Sequence, residues 1–106
     1  MPKYLIAAAY TAEGAKGLLK DGGTSRRAAV EKALKSLGGK LEAFYFAFGE
    51  VDALAIVDVP DNVTAAALAL ATSSSGLVRT KTTVLLTPEE MDAVAKKSVK
   101  YSPPGK

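Results

Sequence analysis

Four side chains combine a reactive group with a position that a small molecule could reach: Tyr10, Tyr45, Asp52 and Arg79. A carboxylate such as Asp52 can act as a general base or orient a ligand. The planar fork of Arg79 matches a ligand carboxylate. Tyr45 shares a strand face with Ala43 and Ala47, which leaves space around its ring for a pocket wall. Each also has a plainer role. Asp52 follows a hairpin turn, where Asp commonly accepts from the turn's own N–H groups, and this structural reading is preferred. In that role Asp52→Asn costs about 1 kcal/mol of stability. Arg79 can equally pair with Asp58, Asp52 or Glu50. Tyr45, Tyr4 and Tyr10 can serve as packing residues, and each hydroxyl then needs a partner.

Composition narrows the chemistry. The chain has no cysteine and no histidine. Disulfides, thiolate nucleophiles and the commonest metal ligand and general base are therefore missing. With scattered carboxylates, neither a metal site nor a cofactor is expected. Gly22-Gly23 and Gly38-Gly39 belong to no phosphate-binding loop, and Gly38-Gly39 follows a helix instead of opening one. The net charge of +3 comes from Lys96, Lys97, Lys100 and Lys106, with no acid beyond Asp92. Without those four, 10 basic residues face 11 acidic ones. A basic patch for nucleic acid is not expected on the folded part. No secretory signal or membrane-spanning run is read, so the expected location is cytoplasmic.

The elements that position these residues centre on Gly38 to Asp61, two strands joined by a turn at Gly49-Glu50. A helix stop precedes them and a helix start follows. Lys3 to Tyr10 is a first, buried strand, followed by a loose helical turn over 12–20 broken by Gly14 and Gly17. Thr24 or Ser25 caps a helix whose stripe is Ala29, Val30, Ala33, Leu34 and Leu37, with Arg26 and Arg27 off it. The second strand, Leu41 to Phe48, turns Leu41, Ala43, Tyr45 and Ala47 one way. It turns Phe44, Phe46 and Phe48 the other way, into a core beneath the helices. A third strand runs from about Val51 to Val59. Asp61 caps a helix that buries Val63, Ala66, Ala67, Leu70 and Ala71. Leu77 to Leu86 is a fourth strand. Thr87-Pro88-Glu89-Glu90 opens a short last helix with a capping box, and Leu86 and Met91 stand where a hydrophobic staple would.

This order predicts an α+β, ferredoxin-like βαββαβ fold with an extra C-terminal helix. Right-handed crossovers put the main helices on one sheet face. The opposite face is too apolar to stand in water, so two copies are expected to pair into a dimeric α/β barrel. Replacing Leu54 or Ile56 with Lys should then disrupt the pair. One domain is expected over residues 1–97, with a flexible basic tail over 98–106.

The residues also resemble a known family. Tyr10-Thr11 with Gly14, then Arg27, Gly38-Gly39-Lys40-Leu41, Gly49 with Asp52, Pro60-Asp61, Gly76 and Arg79-Thr80 together resemble the GYD domain family over residues 1 to about 90. The family is similar to the dimeric α/β barrels and largely without assigned function. Its naming motif is altered here: Gly49-Glu50-Val51-Asp52 carries Val51 in place of the tyrosine. The resemblance supplies no catalytic residue.

Two functions follow as expectations. One is a homo-oligomeric module that binds a small molecule or a partner, with no nucleic acid or membrane involved. The other is a cofactor-free enzyme of the monooxygenase or isomerase kind, its chemistry resting on Tyr45, Asp52 and Arg79. The module's pocket is expected between the sheet and the partner copy, and the enzyme's between sheet and helices or at the dimer interface. The lack of histidine favours the module.

Overall fold

A computed structural model describes all residues, Met1–Lys106. The elements are β1 (Lys3–Tyr10), α1 (Ala12–Asp21), α2 (Gly23–Ser36), β2 (Lys40–Phe46), β3 (Ala53–Asp58), α3 (Asn62–Ser74), β4 (Val78–Leu85) and α4 (Pro88–Ala95). The four strands form one antiparallel sheet in the order β2-β3-β1-β4. The fold is thus α+β, and its strand order is compatible with the ferredoxin-like pattern.

β1 lies at the centre, with Tyr4 opposite both Val57 and Val84 and Ala8 opposite both Ala53 and Thr80. Side chains alternate across a strand, so Tyr4, Ile6, Ala8 and Tyr10 face one side of the sheet. α2 and α3 cover that side. The core there gathers Tyr4, Leu34, Ala55, Val57, Val59 and Ala65, with Val30, Leu41, Phe44 and Leu68 packed around it. The Tyr4 hydroxyl donates to Asn62 Oδ1 at the start of α3.

The other side of the sheet carries Leu5, Ala7, Ala9, Leu54 and Ile56, and no helix lies over it. At one end of the inner strands Lys3 Nζ donates to Asp58 Oδ1 at 2.9 Å and sits 3.3 Å from Glu42 Oε2. The Asp58 hydrogen bond is the main cause that raises the Lys3 ammonium above its ordinary value of 10.5.

Five local expectations change. Residues 12–21 form a full helix, not a loose turn. Thr11 caps it, its Oγ1 accepting from Gly14 N–H at 3.2 Å. Gly14 does not break α1; it admits another chain segment. A Cβ there would lie 2.0 Å from the Leu77 carbonyl oxygen, which also accepts from Thr11 N–H at 2.9 Å. The second change concerns the start of α2. The N-cap is Gly22, at φ 87°, with no side-chain cap, so neither Thr24 nor Ser25 serves.

Third, a register shift between Leu41 and Ala43 places Leu41 opposite Val57 and Ala43 opposite Ile56. Leu41 therefore joins Phe44 on the helix side instead of Ala43 and Tyr45. Fourth, the hairpin closes at Ala47 N–H to Asp52 carbonyl, 2.8 Å, so the loop includes Phe48 and Val51. Phe48 is fully exposed and takes no part in the core. Fifth, α3 turns Val63 and Leu70 to solvent and buries Ala65. This helix is apolar nearly all round, so its spacing alone does not choose a face.

The predicted caps of the later helices are present. Asp61 Oδ1 accepts from the Thr64 hydroxyl at 2.7 Å and from its N–H at 2.8 Å, and the hydroxyl first, then the N–H, hold the Asp61 carboxyl below its usual range. Thr87 and Glu90 exchange both capping-box hydrogen bonds, at 2.9 and 3.0 Å.

The Gly14 contact gives a test. A methyl group there meets backbone that cannot swing aside, so Gly14→Ala should destabilise the domain by about 1–3 kcal/mol. Gly17, where a Cβ meets nothing within 4 Å, is the control. Urea unfolding of both variants checks this, and equal midpoints for the two would refute the close approach.

Candidate functional site

α2 and α3 are each fixed to the sheet, α2 against β2 and α3 against β4, and between them lies a cavity of about 370 Å³. Its floor is the row of small side chains Ala8, Ala53 and Ala55, with Ile6, Phe44 and Thr80. α2 contributes Arg26, Ala29, Val30 and Ala33, and α3 contributes Leu68, Ala71 and Thr72, with Ala69 beside them. Both sets follow the i, i+3, i+4 spacing of one helix face. Tyr10, Leu77 and Val78 close the end nearest α1. There a second cavity of about 170 Å³ adjoins, sharing Tyr10, Arg26, Leu77 and Val78 and adding Asp21 and Ser25.

The walls are mostly methyl groups and aromatic carbon. The polar groups among them are the side chains of Arg26, Tyr10, Thr72, Ser75 and Thr80. This arrangement suits desolvation of an apolar molecule with a few directed polar contacts. Arg26, expected off the apolar stripe of α2, is in fact on the wall. Its position one turn before Ala29 and Val30 was the available signal.

The four residues singled out from the sequence do not share one cavity. Tyr10 lines both cavities. Tyr45 lies opposite Leu54 on the uncovered sheet side and is 70% exposed. Arg79 lies opposite Ala9, also on that side, and pairs with none of Asp58, Asp52 and Glu50. Asp58 is instead taken by Lys3.

Asp52 sits at the junction of β3 and the hairpin loop. Its N–H donates to the Ala8 carbonyl and its Oδ2 accepts from Tyr10 N–H, both at 2.8 Å. The carboxylate thus continues the ladder past Ala8–Ala53, where the regular pairing of β1 and β3 ends. The structural role expected of Asp52 takes a different form: its side chain holds β1, not the Gly49–Val51 backbone. Val51, in the loop before β3, is not on a strand.

A family model described as the GYD domain matches residues 4–95. No curated protein and no solved structure matches the chain.

The Tyr10 contact replaces the earlier expectation for Asp52. Asn keeps an acceptor oxygen, so Asp52→Asn should be mild. Asp52→Ala should cost about 1–2 kcal/mol by leaving the Tyr10 N–H without its acceptor. Thermal unfolding measures the stability, and amide exchange at Tyr10 should accelerate in the Ala variant alone. Unchanged exchange there would refute the assignment.

Proposed function

The chain belongs to the GYD domain family, and from that premise we propose that it is a binding module for a small apolar molecule, held between the sheet and helices α2 and α3. The observation that carries this reading is the alanine-floored cavity of about 370 Å³. Its size falls within the usual range of small-molecule sites. The lining offers hydroxyls and one guanidinium but no carboxylate, and Asp52 is engaged with the Tyr10 backbone. Those features favour binding over proton transfer, and so favour the module over a cofactor-free monooxygenase or isomerase.

The reading includes a homodimer. Leu5, Ala7, Ala9, Leu54 and Ile56 form an apolar sheet side that a second copy would cover, with Tyr45 and Arg79 on the same side. α4 supports it, since it buries no residue in its own chain and leaves Met91 and Val94 about half exposed. Because the cavity is on the helix side, ligand binding and dimerisation use opposite faces of the sheet.

Two measurements test these points. Octan-1-ol should bind the wild-type protein, and Ala8→Leu, which fills the cavity floor, should weaken it about tenfold or more without lowering the melting temperature. Undiminished binding to Ala8→Leu refutes the cavity. Light scattering at micromolar concentration should give a dimer for wild type and a monomer or aggregate for Ile56→Lys. A monodisperse wild-type monomer refutes the barrel.

A further inference from the structure

The cavity wall holds one feature that an apolar ligand alone leaves unexplained. Arg26 Nε is shut off from solvent and has no hydrogen-bond partner. The neighbouring Arg27 pairs with Glu31 at 3.6 Å, but Arg26 takes part in none of the chain's ion pairs. Asp21, the one carboxylate on the adjoining smaller cavity, does not reach it. Nε therefore has no acceptor within the chain, while Arg26 as a whole is partly exposed and lines the cavity, where an anion would give its guanidinium an acceptor.

We propose that the cavity takes an apolar molecule carrying a single carboxylate, its apolar body between α2 and α3 and its charged end at Arg26. This deepens the reading above and rests on it. A guanidinium can bind a carboxylate through two parallel N–H groups, which a hydroxyl cannot match. The local field points the same way. Arg26 stands near the N-terminal end of α2, where the helix dipole is positive, and its own N–H is already bonded to the Gly22 carbonyl at 3.2 Å. The first turn of α2 contains no acidic residue and has no side-chain cap. Ligand size follows from the volume. At roughly 30 Å³ per water-sized group, the cavity holds about a dozen non-hydrogen atoms. That admits a medium-chain or phenylalkyl carboxylate.

The test compares octanoate with octan-1-ol, which share a chain length and differ in charge, by calorimetric titration of the full chain at pH 7. Octanoate should bind about tenfold or more tightly, the scale of a charge-assisted hydrogen bond. Arg26→Met should abolish the preference for octanoate over octanol measured on the same variant, while Arg26→Lys should keep part of it. Equal binding of the two probes to wild type overturns the carboxylate assignment and leaves the apolar cavity standing. So does an octanoate preference that survives in Arg26→Met. If neither probe binds at millimolar concentration, the cavity reading itself fails and this inference with it. The wild-type comparison decides even if the Met variant does not fold.

Discussion

The spacing between the sheet and its two covering helices is set by side-chain size along the central strand. At one end of β1, Tyr4 meets Val57 and Leu34 and fills the layer completely. At the other end, Ala8 meets Ala53 and Thr80, which are too short to reach α2 or α3. Helices are stiff on this length scale, so α2 and α3 cannot follow the floor down. Bulk at Tyr4 holds them up, and the small residues leave the space beneath them open. Core and cavity are thus two consequences of one strand. The apolar walls of this space face solvent, and an apolar ligand would take them out of water.

The features legible in the sequence were those decided within a few residues. Asp61, Thr87 with Glu90, and Gly38 with its positive φ act on their own helix ends, so local spacing places them correctly. The sequence of strands and main helices followed from the hairpin and the two crossovers. What local spacing misread depended on distant segments. Gly14 reads as a helix breaker until the Leu77 carbonyl arrives against it, and that residue is far along the chain. Leu41 changes sides because β3 imposes a register shift, which alternation within β2 cannot reveal. α3 was read with the wrong face because apolar residues surround it. Val63 and Leu70 fit one stripe and Ala65 and Leu68 another, and only the sheet chooses between them.

The site was less legible than the fold for the same reason. Asp52 and Tyr10 come together by strand pairing, but as a backbone clamp. Tyr45 and Arg79 fall on the uncovered side, away from the cavity. Arg26 was set aside as one of several surface cations on α2. What distinguishes it is the loss of solvent at Nε, a property of the packed molecule that charge and spacing do not encode. The alanines of the floor were equally silent, because a small residue on a strand reads as filler unless its opposite numbers are also small.

The two faces of the sheet therefore carry different physical tasks. The uncovered face is apolar through Leu5, Leu54 and Ile56 and has its charges around them, Lys3 between Asp58 and Glu42 at one end of the strands and Arg79 and Lys81 along edge strand β4. Peripheral charges leave an apolar centre free to be buried while setting the alignment of whatever covers it. The helix face has the opposite arrangement, an apolar space with one cation in its wall and no acid to neutralise it. A second copy covering the first face would leave that cation unsatisfied, and an anion in the cavity would leave the first face exposed. Neither occupant can substitute for the other. The two couple only through β1, whose odd residues face one and whose even residues face the other, so a ligand that shifts Tyr10 or Ala8 acts on the strand that also carries Leu5, Ala7 and Ala9.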